Sequence, residues 1–253
     1  MKKLVLVVVA MALVFSFVGC ATTGKIPDDA QGVNLRNVLA GGDLIMTALK
    51  LISEVDPQIS EDIIYEMVDN INEYFREDPE AKLYWIPSSN AQVSTLSEKS
   101  AEINGSIVIA TYSLRYLAGS VKAAARDATG AEAVEDIMAE EDLTITEQEL
   151  LDLKGKELSD MHKQNLKNSF IYMTLAVSAL IQAPINAVEF VDQAKVLAED
   201  PSKLVSSPTA VPKMAGQLKS IIDNLNNVIK EAPALIKNLT ANIEIVVQLI
   251  ENS

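Results

Sequence analysis

The sequence predicts an all-α protein, an elongated antiparallel bundle of about five to seven helices, some of them long and kinked by proline. Aliphatic residues recur at spacings of three and four over most of the chain, which is the helical period. Stretches rich in β-branched residues occur only inside longer helical patterns. The composition is 49% apolar but only 5% aromatic, so we expect a core of Leu, Ile, Val and Ala.

The first nineteen residues have the composition of an export signal. Lys2 and Lys3 give a cationic start, and the run 4–18 is apolar except for Ser16. This run is shorter than the ~20 residues of a membrane-spanning helix. We therefore assign residues 1–19 to a signal peptide that is removed from the mature chain.

The leader ends in Phe17-Val18-Gly19-Cys20, which resembles the lipobox of bacterial prolipoproteins. In that family the invariant cysteine receives a diacylglycerol thioether, a dedicated peptidase cuts in front of it, and the new amino group is usually acylated with a fatty acid such as palmitate. The family prefers Leu where Phe17 stands. Two or three acyl chains, at ~0.8 kcal/mol per buried methylene, attach a protein to a membrane almost permanently. The resemblance implies a lipidated Cys20 and a place in the bacterial cell envelope.

The residue after the lipobox and the net charge refine this location. Ala21 stands where Asp would mark retention in enterobacterial members of that family, which favours the periplasmic face of the outer membrane in a diderm host. In other hosts we expect the outer face of the cytoplasmic membrane. The net charge of −14 repels nucleic-acid phosphates and anionic headgroups, so we expect no nucleic-acid partner and attachment through the lipid alone.

A short tether over 20–33 is predicted to precede a helical-bundle domain over 34–253. The aliphatic pattern predicts a first helix over 35–52. Gly42 falls on its apolar side, where a missing side chain permits close helix packing. Ser60 can cap a second helix that ends before Asp78-Pro79.

Residues 79–90 look like a connector, and a third helix is expected from near Ser94 to Thr129, ended by Gly130. A capping box of Thr146 and Glu149 is predicted to open a long helix that runs toward Pro184.

A last helical stretch over 214–250 follows a loop at 206–212 and keeps its period through Pro233, where we expect a kink or tight break. These helices form either one bundle or two subdomains, 34–128 and 144–250.

The chemistry of the chain argues against an enzyme, a metal site or a cofactor. Cys20 is consumed by the lipid, and His162 is the only histidine, so neither a His/Cys zinc site nor a Cys-His pair can form. His162 is interpreted as a solvated residue on a helix surface. A solvated acidic face is expected from Glu132, Glu135, Asp136, Glu140, Glu141 and Asp142.

The candidate contact residues lie in two places. Between Lys167 and Glu189 the chain carries no charge, and four polar residues recur there at every fourth position: Thr174, Ser178, Gln182 and Asn186. This pattern favours a central bundle helix, with the lining of an apolar ligand cavity and conditional membrane insertion as alternatives. Tyr84 and Trp85, in the connector, either plug one end of the bundle or form a recognition patch.

Three functions remain open on this sequence. The first is an envelope lipoprotein whose helical bundle binds or scaffolds another envelope protein. The second is a carrier that encloses a lipid or another apolar ligand between its helices. The third is an α-helical membrane inserter of the cytolysin kind.

Overall fold

The computed structural model describes residues 25–40, 44–131, 134, 136–140 and 142–251. Over these residues the protein is an all-α bundle, which confirms the predicted fold class. The helices are α1 (Leu35–Ala40), α2 (Leu44–Ile52), α3 (Glu61–Phe75), α4 (Ala91–Thr129), α5 (Glu147–Leu153), α6 (Asp160–Ala198) and α7 (Val211–Glu251). Two short strands, β1 (Gln31–Gly32) and β2 (Tyr84–Trp85), pair antiparallel, and 3₁₀ turns occupy Ile137–Ala139, Pro201–Leu204 and Pro208–Ala210.

The three longest helices form the body of the bundle. α4 and α6 have 39 residues each and α7 has 41, so each is about 60 Å long at ~1.5 Å per residue. α6 runs antiparallel to α4, since the Ser113 hydroxyl donates to the Tyr172 carbonyl at 2.9 Å while Asp127 lies beside His162. α7 packs against both of these helices and contacts α6 most extensively.

α1, α2 and α3 form a layer on the α4–α6 pair. Leu35 is fully buried, and its backbone N–H donates to Asn72 Oδ1 of α3 at 3.2 Å. Gly105 of α4 lies under α1, where an added Cβ would come 2.7 Å from a Leu35 methyl group. The buried apolar side chains of this layer and of the long helices belong to one contiguous core.

The first predicted helix, over 35–52, corresponds to α1 and α2. Residues 41–43 between them, including Gly42, lie outside the described part of the chain. The expected close packing at Gly42 therefore stays a prediction. The second helix begins as expected after Ser60, whose hydroxyl accepts the Ile63 N–H.

The third predicted helix is confirmed as α4. It begins at Ala91, three residues earlier than expected, because Asn90 rather than a later residue caps it by accepting the Gln92 and Val93 N–H groups. It ends where predicted, at Gly130, which adopts the left-handed conformation with φ of 72°.

The predicted long helix from Thr146 to Pro184 is wrong. The capping box of Thr146 and Glu149 is present, but α5 ends at Leu153, before Gly155 turns the chain with φ of 70°. A new cap at Ser159 then starts α6, which continues through Pro184 to Ala198.

Proline does not end α6 here because one face of the helix is buried both before and after it. Proline costs about 3 kcal/mol inside a helix. Ala183 and Ala187 flank Pro184 and are 4% and 0% exposed, so the buried seam of α6 offsets that cost. α7 likewise continues through Pro233 as one helix, without the tight break that we allowed for there, and only the continuity of its period is confirmed.

β1 and β2 hold the chain that enters the bundle against the flank of α4. Gln31 pairs with Trp85 and Gly32 with Tyr84. Next to this pair, Leu83 accepts a hydrogen bond from Val33 N–H at 2.9 Å.

This connector contacts the first half of α4. Asn104 donates to the Ala81 carbonyl at 3.1 Å, and Leu83 lies over Gly105. Tyr84 and Trp85 therefore lie beside α4. They do not plug an end of the bundle, which was one of the two roles that we expected for them.

Gly119 of α4 is required for the packing of the segment that follows this helix. A Cβ at Gly119 would lie 1.9 Å from the Ile137 carbonyl oxygen, which is backbone and cannot move aside cheaply. We expect Gly119→Ala to lower the free energy of unfolding by about 1–3 kcal/mol, measured by urea denaturation.

Gly216→Ala is the matched control, because a Cβ at Gly216 in α7 would meet nothing within 4 Å. It should leave stability unchanged or raise it by about 0.5–1 kcal/mol through helix propensity. Equal effects of the two substitutions would contradict the role of Gly119.

Candidate functional site

The four polar residues predicted on α6 are separated into two environments. Thr174 and Ser178 are 5% and 6% exposed. Their hydroxyls donate to the carbonyls of Phe170 at 2.8 Å and of Thr174 at 2.9 Å, one turn back in the same helix. Both hydroxyls are therefore satisfied within α6 and surrounded by core side chains, so they are not placed to contact a ligand.

Gln182 and Asn186 lie one and two turns further along, at the edge of a cleft. The Gln182 amide donates to Asn186 Oδ1 at 3.0 Å, and both residues are half-buried. The cleft has a volume of about 250 Å³ and lies between α6, α4 and the α1–α2 layer. Two of the four candidates therefore line an accessible cleft, and their contact with a ligand or partner stays a prediction.

The cleft has a mixed lining. Lys99 and Glu102 of α4 form an ion pair of 2.6 Å beside it, and the Glu102 side chain is only 14% exposed. Apolar contacts come from Val38 of α1, Phe190 of α6 and their neighbours. Such a lining suits a small polar or amphiphilic molecule, not a lipid tail that needs an apolar enclosure.

The second half of α6 also carries an exposed aliphatic stripe that the sequence analysis missed. Four side chains form it, with exposed fractions of 56%, 62%, 51% and 66%: Ile181, Ile185, Val188 and Val196. At ~100° per residue they fall within about 80° of the helix circumference. We call these four residues the α6 stripe.

The α6 stripe continues a face that is covered earlier in the helix. Phe170 and Thr174 belong to the same face and are 6% and 5% exposed. Neighbouring elements stop covering this face near residue 180, but its side chains remain mostly apolar beyond that point. The spacing of Ile181, Ile185 and Val188 was visible in the sequence, but it was read as core because the interval 168–188 carries no charge.

Tyr84 and Trp85 are half-buried beside α4. Burial raises the pKa of the Tyr84 hydroxyl above its ordinary value. Tyr84 borders a small recess of about 160 Å³ with Phe75 and Leu83. The role of the pair as a recognition patch stays a prediction.

A tyrosine cluster at the junction of α3, α4 and α6 was also missed. Its rings lie 4.9 to 6.1 Å apart between centroids: Tyr74, Tyr112, Tyr116 and Tyr172. Burial, together with the neighbouring Tyr172, raises the pKa of Tyr112 far above its ordinary value. The cluster joins three helices by edge and stacking contacts, which gives it a role in packing.

The acidic segment after α4 is not the freely solvated face that we expected. Lys122, with a side chain only 7% exposed, lies 3.3 Å from carboxylate oxygens of both Glu140 and Asp142. Arg126 adds a longer contact of 3.7 Å to Glu140. Hydrogen bonds from Thr144 and Lys122 lower the pKa of Asp142.

This arrangement attaches the segment to α4 through a buried cation. Burial of an unpaired ammonium would be costly, so the two carboxylates must stay close. Asp136 is exposed and accepts the Met138 N–H, while Glu132, Glu135 and Glu141 lie outside the described residues.

The prediction that His162 is a solvated surface residue is wrong. Its side chain is 5% exposed, and Nε2 lies 3.3 Å from Asp127 Oδ2 of α4. Nδ1 is buried without a hydrogen-bond partner among the described residues. His162 follows the cap residue Ser159 by three positions, so the start of α6 turns it inward against the end of α4.

The described residues contain no group of three or more His, Cys, Asp or Glu side chains that could hold a metal ion. Phe17, Val18, Gly19 and Cys20 lie outside the described residues, and their role in lipidation stays a prediction. No family model, curated protein or solved structure matches this chain. The candidate sites therefore rest on their geometry alone.

We expect Lys122→Met to lower the free energy of unfolding by about 1.5–3 kcal/mol, because it removes charged hydrogen bonds and leaves the partly buried Glu140 carboxylate without the Lys122 ammonium. Urea denaturation at neutral pH measures this loss. Lys203→Met is the control, since Lys203 is 80% exposed and its ion pair with Asp200 should contribute less than about 1 kcal/mol. An unchanged stability in Lys122→Met would contradict this role of Lys122.

Proposed function

We propose that this protein is a non-enzymatic bacterial envelope lipoprotein, anchored through Cys20, whose helical bundle binds another protein. The observation that carries the binding role is the α6 stripe, four aliphatic side chains more than half exposed on one rigid helix. Contiguous apolar residues on the surface of a folded protein commonly mark interaction sites. The lipobox resemblance supports the anchor, and the acidic charge leaves the lipid as the means of attachment.

The length of the bundle suits a scaffold near a membrane. α7 alone is about 60 Å long, and it is supported along its length by α6. The chain between Cys20 and β1 has about ten residues, which at ~3.5 Å each reach no more than about 40 Å. A partner bound at α6 would therefore stay within about 100 Å of the bilayer.

A carrier for apolar molecules has less support. The uncharged interval 168–188 of α6, for which an apolar ligand cavity was the alternative interpretation, includes Met173, Leu175 and Leu180, each fully buried among core side chains. The cleft at Gln182 and Asn186 is half polar. This lining favours a small amphiphile over a lipid if the cleft binds a ligand.

Membrane insertion through α6 also has less support. Within the described residues α6 is the one helix long and apolar enough to cross a bilayer, but 61% of its most apolar window is buried inside the bundle. Release of α6 would expose the seams of α4 and α7 that pack on it. The central helix of a bundle has the same composition.

The anchor is tested by Cys20→Ser. In the native host we expect the unaltered protein in the membrane fraction and labelled by palmitate, and Cys20→Ser unlabelled with its leader uncut. Intact-mass analysis of the unaltered protein gives the decisive reading. An unmodified sulfur, or an amino terminus at another residue, would contradict the anchor.

The binding role is tested by placing a photo-crosslinking amino acid at Ile185 and, separately, at the control position Leu151. Both side chains are exposed, by 62% and 53%, but only Ile185 belongs to the α6 stripe. After irradiation of native cells, we expect a discrete crosslinked protein from position 185 and none from position 151. Equal products at both positions, or none at 185, would count against the α6 stripe as a docking surface.

A further inference from the structure

The α6 stripe follows the spacing of a coiled-coil seam and is interrupted by one charge. Ile181, Ile185 and Val188 are separated by four and three residues, and a further step of four reaches Asp192. Val196 lies one residue past the next heptad position, on the same side of the helix. Spacings of four and three are those of the a and d positions of a heptad. The side chain of Asp192 is 74% exposed, so it projects beside the aliphatic residues.

The size of the α6 stripe decides what it can bind. From Ile181 to Val196 it spans sixteen residues, or about 22 Å, and is one side chain wide. Four half-exposed aliphatic side chains offer on the order of 300 Å² of apolar area. A homodimer needs roughly 800 Å² per partner, of which about 65% is apolar, so a second copy of this bundle would gain too little. A single helix laid along the α6 stripe matches its length and width.

The charges beside the α6 stripe determine which charge the partner helix must carry. Glu189 and Asp192 lie next to the aliphatic residues, and Lys195 contacts Asp192 only at 3.8 Å between two exposed side chains. A polar residue at one seam position selects the partner that can satisfy it. A carboxylate there is satisfied by an ammonium or guanidinium group and opposed by another carboxylate.

We infer that the α6 stripe takes one amphipathic helix of a partner protein, with aliphatic residues along its seam and a Lys or Arg opposite Asp192. This inference rests on the proposed function and adds the chemistry of the partner. The Lys or Arg of the partner displaces Lys195 from its weak contact with Asp192. The aliphatic contacts provide the affinity, and the ion pair fixes the register.

Two designed peptides test this inference. Each has three heptads with Leu and Ile along one seam. One carries Lys at the position opposite Asp192, and the other carries Glu there. The full chain is held in phosphatidylcholine vesicles, and binding of fluorescent peptide is measured by anisotropy against vesicles without protein. We expect the Lys peptide to bind about tenfold more tightly than the Glu peptide, since like charges opposed across an interface repel.

Variants of the chain make the test specific. Asp192→Lys should reverse the preference between the two peptides, and Ile185→Ser should weaken binding of both. Leu151→Lys, at an exposed aliphatic position outside the α6 stripe, should change neither. Circular dichroism verifies that each variant keeps its helices, and exposed positions are the ones least expected to alter folding.

Three results would overturn the inference. They are equal binding of the two peptides, loss of binding in Leu151→Lys as large as in Ile185→Ser, and no binding of either peptide. A concentration-dependent dimer abolished by Ile185→Ser would assign the α6 stripe to a second copy instead. Crosslinking at Ile185 in cells combined with no peptide binding would reject the helix chemistry but keep the proposed function, whereas an unlipidated Cys20 would reject the anchor alone.

Discussion

The packing of this bundle depends on burying the apolar faces of α6. Between residues 169 and 180 this helix is apolar or hydroxyl-bearing on every side, and a helix of that kind is stable only inside other elements. α4 and α7 pack along it, and the α1–α3 layer adds to the cover. The hydroxyls of Thr174 and Ser178 bond within α6 itself, so burial leaves neither without a partner.

Helix period and capping predicted most of the fold. The seam of α7 could be followed through Pro233 because its buried residues recur without a slip, and Gly130 marked the end of α4 because its conformation suits few other residues. The error at Pro184 arose because proline has a local cost, while the burial that offsets it is tertiary. A capping box also marks only where a helix begins, so the short length of α5 had no local signal.

The candidate sites were less predictable, since they depend on which side of a helix is covered. Gln182 and Asn186 have the same spacing as Thr174 and Ser178, yet only the first two reach the cleft. His162 appeared solvated beside charged neighbours, but the antiparallel packing of α6 on α4 turns it toward Asp127. Lys122 gave no signal, because its partners Glu140 and Asp142 come from a segment of irregular structure. Sequence periodicity defines the faces of a helix but does not say which neighbour meets each face.

The pairing of β1 with β2 determines how the molecule responds to tension from its amino-terminal side. A pull on residue 25 reaches Gln31 and Gly32 first, and these are joined to Tyr84 and Trp85 by a ladder of only two residues. Beyond it, Leu35 is fixed by Asn72 and by complete burial. The two-residue ladder and the neighbouring bond from Val33 N–H to the Leu83 carbonyl would therefore break before Leu35 leaves the core, so the tether can lengthen by several residues while the helices stay packed.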